Sequence, residues 1–190
     1  MTTATAAPRI PALDPADATG EARDLLDAAR ARLGGVPNFL RVLAASPKAL
    51  AGFLGLWSPL EESAALDRAT RERVALAVAQ ANGCDYCLAA HTAIGRGAGL
   101  DAAEIAAARA GRSDADARAD GAVRFAVALL ADRGEVSDAD VAAARRAGLD
   151  DAALVEVVAL VALNVLTNTL GKAARVEVDF PRVAPLPLAA

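Results

Sequence analysis

The sequence predicts an all-α fold, and three observations carry that prediction. Apolar residues recur at helical spacing through most of the 190 residues. Alanine, a strong helix former, is abundant while aromatic residues make up only 3%, so packing rests on aliphatic side chains and close helix–helix contact. No set of alternating apolar and polar segments reads as a sheet. With 55% hydrophobic and 23% charged residues, the chain is rich enough to bury a core and long enough for one domain, residues 1–190.

Taken in order, residues 1–20 read as an extended lead-in, because Pro8, Pro11 and Pro15 interrupt any helix. A first helix is expected over Glu21–Leu33, with Leu25, Leu26, Ala29 and Leu33 on one face and Gly34-Gly35 ending it. A shorter helix follows around Phe39–Ala45. Ser46-Pro47 then opens a third, Ser46 as cap and Pro47 in the first turn. Its segment Lys48–Leu60 is unusually apolar, with Phe53, Leu54, Leu56 and Trp57. Core packing explains these residues, and a wall for an apolar substrate, formed by Phe53 and Trp57, is the functional alternative.

Leu66–Ala81 is the clearest long helix, with Val74, Leu76, Ala77, Val78 and Ala81 expected inside. Asn82-Gly83 is a helix-ending pair. A further helix begins near Cys84 and runs to about Gly95, so residues 66–95 form a helical hairpin. The segments Leu100–Arg109 and Val136–Arg145 echo one another, each a short helix capped by Asp101 or Ser137 and followed by Gly111 or Gly148. Glu72–Leu76 and Glu156–Leu160 echo as well, which suggests related hairpins stacked in one domain. Between the echoes an amphipathic helix is expected over Ala117–Arg133, and the last helix over Asp151–Leu170. Residues 172–190 read as a C-terminal arm, with Val176–Pro181 alternating like an edge strand.

Charge and cysteine usage exclude several function classes. The formal net charge of −4, with arginines interleaved among acids, supplies no basic stripe for a nucleic-acid backbone. The apolar run Leu154–Leu170 is broken by Glu156, Asn164 and Asn168, so no membrane span is expected. Two cysteines in one CxxC cannot staple distant parts of a secreted fold, and the N-terminus lacks a signal-peptide core. A cytoplasmic setting is the expectation.

The chemistry is concentrated in Asn82–His91, which holds both cysteines, Cys84 and Cys87, and the only histidine, His91. Glu72 lies ten residues before Asn82 and His91 nine after it, so a tight hairpin sets them at similar height on antiparallel helices. Cys87 and His91 are four apart and share a helix face. Cys84 sits at the helix N-terminus, where the dipole favours a thiolate, and its terminal position makes it the more exposed thiol. His91 is suited to take a thiol proton, with Glu72 to orient or recharge it. A peroxide would oxidise one thiolate to sulfenic acid and the partner thiol would close a disulfide, after which a dithiol or protein reductant must reset the pair. Three alternatives stand beside this catalytic reading. The pair is a slow thiol–disulfide or redox-sensing module, or inert core cysteines, or part of a metal clamp with His91 and Glu72. Zinc seldom uses glutamate and no second Cys or His pair exists, so neither metal nor cofactor is expected.

The pattern Glu72-x11-Cys84-x2-Cys87-x3-His91 resembles the signature of the alkylhydroperoxidase AhpD-like, carboxymuconolactone decarboxylase superfamily. The segments GVPNFLRVLAASP (Gly35–Pro47), LAVAQANGCDYCLAAH (Leu76–His91) and EVDFP (Glu177–Pro181) resemble its peroxidase-related branch. That resemblance implies an AhpD-like helical domain that assembles into homo-oligomers, trimers or hexamers, with the site near a subunit interface. It implies reduction of a hydroperoxide substrate. Cys87 would become the sulfenic acid, Cys84 would be its partner and proton donor, and Glu72 and His91 would form the proton relay. In the best-studied branch a histidine precedes the second cysteine; here it is Tyr86, which is placed either to hydrogen-bond the reacting oxygen or to pack.

Overall fold

The computed structural model describes residues 7–184. Among these, nine α-helices and no strand are found: α1 (Gly20–Leu33), α2 (Asn38–Leu43), α3 (Pro47–Glu61), α4 (Arg68–Ala81), α5 (Asp85–Gly97), α6 (Ala102–Arg109), α7 (Ala117–Ala131), α8 (Asp138–Arg146) and α9 (Asp151–Ala174). The all-α expectation holds, and the helix starts follow the capping residues closely. Ser46, Asp67, Asp101, Asp116, Ser137 and Asp150 each accept a first-turn backbone N–H, a contact typically worth about 1 kcal/mol. Both echoed short helices, α6 and α8, begin with a full capping box, Asp101/Glu104 and Ser137/Asp140.

α4 is the hub, packing against α5, α6, α7 and α9. Every residue from Thr70 to Gln80 is buried on it, whereas Ala81, expected inside, is exposed because the helix ends there beside the turn. Burial all round forces partners onto its charged residues. Arg71 donates to the carbonyls of Glu61, Ser63 and Leu66, and Arg73 pairs with Glu104. A triplet that reads as a solvated helix face is thus internal.

Two large apolar clusters flank α4, and a small third one joins its Leu76 to Leu100, Ile105 and Ala108. One large cluster gathers α7, α8 and the first half of α9 around Val74, Val78, Val123 and Val157. The other gathers α1, α2, α5, the end of α9 and the arm around Leu26, Leu40, Leu50 and Leu88, and it contains both cysteines. α9 is long and apolar enough by length and composition to cross a membrane. Here one face packs on α3, α4, α5 and α7, while Val155, Val158, Val165 and Leu166 form an exposed apolar row.

The chain ends depart from expectation. α9 runs to Ala174 rather than Leu170, so residues 172–174 are its last turn and not part of the arm. The arm from Val176 pairs with no strand. It lies along the second cluster, with Val176 buried and Val178 and Phe180 packed against it. Asn38 holds it by donating its backbone N–H to Asp179 Oδ2 (2.7 Å) and its amide to the Glu177 carbonyl (3.1 Å). Residues 1–6 of the lead-in and 185–190 of the arm lie outside the described residues.

Candidate functional site

The site is built at the α4–α5 turn. Gly83, at φ +60°, supplies the left-handed residue that reverses the chain, while Asn82 keeps helical angles. The reversal makes Cys84 the N-cap of α5, its Sγ accepting the Cys87 backbone N–H at 3.4 Å. One turn on, Cys87 Sγ lies 2.7 Å from Cys84 Sγ, and both cysteines are free thiols. His91 Nδ1 lies 2.9 Å from Glu72 Oε2 across the hairpin. The register argument from spacing therefore holds for all four residues.

Exposure does not follow the expectation. Cys84 is 1% and Cys87 3% exposed, because α9 and the arm cover the α5 N-terminus. Cys84 nonetheless borders a cavity of about 450 Å³, together with Tyr86, Gly171, Lys172 and Arg175, whereas Cys87 lies behind it.

The two thiols titrate in opposite directions. The shared hydrogen bond with Cys87 is the largest influence on Cys84 and lowers its pKa; burial opposes it, and the Cys87 N–H and the nearby His91 assist. Cys87 is pushed up, first by that same hydrogen bond and then by burial. Between the two sulfurs, negative charge is accordingly favoured on Cys84 over Cys87. Burial works against the His91 imidazolium, but the Glu72 carboxylate outweighs it and the pKa is raised.

Sequence reasoning missed the contribution of α9. Thr167 and Asn168 lie beside Cys87 and both favour its thiolate, with the Thr167 hydroxyl donating to the Asn164 carbonyl at 3.0 Å. Asn168 is held by Asn82, whose amide donates to its Oδ1 at 2.8 Å. An asparagine breaking an apolar helix was the available signal, and it served only to argue against a membrane span. Gly171 lets α9 approach: a Cβ there would stand 3.1 Å from Cys84 Sγ and 3.9 Å from Cys87 Sγ. Gly171→Val is expected to overpack this contact, lowering stability by about 1–3 kcal/mol and slowing reaction of the native thiols with a disulfide reagent. Thermal melts and thiol-labelling rates check both; unchanged labelling in a folded variant refutes the close approach.

Tyr86 packs and latches. Its hydroxyl accepts the Phe39 N–H at 3.1 Å and bonds to Asp179, and burial raises its pKa well above the phenol range. The hydroxyl is therefore committed away from the sulfurs, while the ring lines the cavity. Phe53 and Trp57 do not line that cavity. Phe53 joins Tyr86 only through Phe39, at ring distances of 5.4 and 6.2 Å. Trp57 stacks on Phe53 under the Arg32 guanidinium. Among the described residues, no three His, Cys, Asp or Glu side chains converge as a metal site.

An all-α domain with a buried dithiol beside a carboxylate–imidazole pair defines the class of protein. Residues 47–132 match the carboxymuconolactone decarboxylase family. The chain superposes on an uncharacterized peroxidase-related protein with an alkylhydroperoxidase AhpD core from Ralstonia eutropha JMP134, with a TM-score of 0.81 and 24% identity over 90% of this chain and 92% of that one. A peroxidase-related protein from Silicibacter sp. TM1040 matches with a TM-score of 0.76 and 25% identity over 97% and 96% of the two chains. The debrominase Bmp8, known apo and in complex with 2,3,4-tribromopyrrole, shares the fold with a TM-score of 0.76 and 19% identity over 90% and 91%. No curated protein matches the sequence as a relative. The middle of the chain is thus similar to the carboxymuconolactone decarboxylase family, and the fold of the whole is that of the AhpD-like proteins.

Proposed function

We propose that the protein reduces hydroperoxides through Cys84 and Cys87, with His91 and Glu72 as proton relay. The observation that carries this reading is the pair of free cysteines with their sulfurs 2.7 Å apart, beside the 2.9 Å His91–Glu72 contact. Passing a proton from Cys87 to the Cys84 thiolate leaves Cys87 as nucleophile, stabilised by Thr167 and Asn168. Cys87 attacks the terminal peroxide oxygen, the O–O bond breaks, and the Cys84 thiol protonates the departing alkoxide. Cys87 is now a sulfenic acid and Cys84 again a thiolate. Cys84 attacks the Cys87 sulfur, the S–O bond breaks, and the His91 imidazolium supplies the proton that turns the departing hydroxide into water. An external dithiol or protein reductant returns two electrons to the disulfide.

The oxidant reaches the pair through the cavity at Cys84, so the Phe53–Trp57 face is a supporting wall. Assembly into a homo-oligomer is part of the proposal, supported by the exposed row on α9. Intact mass of reduced protein after one equivalent of organic hydroperoxide is the test. Loss of both thiols as a Cys84–Cys87 disulfide is the expected result; thiols that survive sink the proposal.

A second reading, a slow redox sensor, is favoured by Tyr86. It sits between the two cysteines, and its hydroxyl holds α2 and the arm. Disulfide closure that alters proteolysis of the arm without sustained turnover would select it.

A further inference from the structure

A second cavity, of about 330 Å³, lies between α5, α6 and the end of the arm and contains neither cysteine. Its floor is apolar, with Ala93, Ile105 and Ala106. Three arginines border it, Arg96, Arg109 and Arg182, and among the described residues no carboxylate does. That is unexpected in a chain of net charge −4. Arg96 and Arg182 make no ion pair or side-chain hydrogen bond among the described residues. Arg109 donates to Gln80 Oε1 at 2.9 Å and to the Ala184 carbonyl at 2.7 Å, both neutral acceptors. Its pKa is lowered by burial, with no anion to restore it.

An independent observation points into the same space. Thr92 lines the cavity and is 4% exposed, and its Oγ1 has no hydrogen-bond partner. A buried hydroxyl of this kind normally finds an acceptor. Among the described residues Thr92 has no such acceptor, and its hydroxyl is free to bind a ligand in the cavity.

We propose that this cavity binds a small carboxylate with an apolar body, its oxygens held by Arg96, Arg109 and Arg182 and by the Thr92 hydroxyl, its hydrocarbon part on Ile105 and the alanines. The planar guanidinium fork matches a carboxylate edge. Phosphate would draw on the first-turn amides of α6, but Asp101 and Glu104 already cap that turn and place negative charge there. The volume is that of a small-molecule site. Arg182 borders both this cavity and the one at Cys84, so the carboxylate belongs either to the oxidant itself or to a separate ligand.

Calorimetric titration of the reduced, full-length protein with benzoate, against benzyl alcohol as the neutral analogue, tests the site. Saturable benzoate binding is expected, weakened about tenfold in Arg96→Gln/Arg182→Gln and several-fold in the near-isosteric Thr92→Val. Benzoate binding no tighter than benzyl alcohol, or unaffected by the arginine substitutions in a folded variant, overturns the proposal. This titration involves no redox step, so its result stands whether or not the thiols reduce hydroperoxides. Thiol oxidation measured with saturating benzoate then separates the two sources. Slowing confined to a carboxylate-bearing hydroperoxide assigns the carboxylate to the oxidant; equal rates assign it to a separate ligand. Both results keep the site.

Discussion

Cys87→Ser is expected to abolish hydroperoxide consumption, with a loss of roughly a thousandfold or more in the rate of thiol oxidation. A serine hydroxyl is neither ionised near neutral pH nor able to accept oxygen from a peroxide. Cys84→Ser is expected to behave differently. On the proposed roles it removes the resolving sulfur but leaves the nucleophile beside Thr167 and Asn168, which favour its thiolate, so one equivalent of peroxide should stop at a sulfenic acid on Cys87. A sulfenate-specific label, located by peptide mass, reads the outcome. Label on Cys84 in the Cys87→Ser protein, and none on Cys87 in Cys84→Ser, would reverse the two roles. That outcome has a physical basis, since Cys84 is the sulfur bordering the cavity. The resting charge is checked separately by the ultraviolet absorbance of the thiolate. In the wild type it should appear below the ordinary thiol value of 9.0, and Cys87→Ala should move it upward, because the Cys87 hydrogen bond is the main cause of the lowering.

The Glu72–His91 pair carries the second large effect. Replacing His91 with alanine is expected to slow disulfide closure by about a hundredfold, the usual scale for a lost general acid. Glu72→Gln keeps a hydrogen-bond partner but removes the charge that raises the His91 pKa, so the imidazolium needed to protonate departing hydroxide becomes scarcer at neutral pH. The pH dependence of closure should then lose its alkaline limb at a lower pH than in the wild type; an unshifted limb would remove His91 from the relay. Linkage gives the sign for stability. A folded-state pKa raised above 6.5 contributes stability that is complete below that value and lost as pH rises through the folded pKa. The melting difference between wild type and Glu72→Gln should therefore be larger near about pH 6 than near about pH 9.

Local rules made much of the molecule legible. Capping residues, glycines and 3.6-residue periodicity located the helices, because those signals act within a few residues of the site they specify. The hairpin register was legible for the same reason: a rise of ~1.5 Å per residue and one tight turn suffice to bring Glu72 level with His91. Long-range packing was not legible. Nothing in the local sequence shows that Arg71–Arg73 is internal; four helices close around α4, and the end of α3, the loop after it and α6 supply the arginines' acceptors. Thr167, Asn168 and Gly171 are more than eighty residues from Cys84 in sequence, and only the docking of α9 on α5 brings them to the sulfurs.

The sequence by itself determined the helical class, the hairpin and the four residues, Glu72, Cys84, Cys87 and His91, that the hairpin brings together. Tertiary structure alone decided which sulfur is the more favourable place for negative charge, that both are shielded from solvent, and that Tyr86 faces Phe39 and Asp179 rather than the thiols. The physical reason is that helix formation and turn geometry depend on neighbours in the chain. The energy of a buried charge depends on every dipole and guanidinium that packing brings within a few ångströms, whatever its place in the sequence.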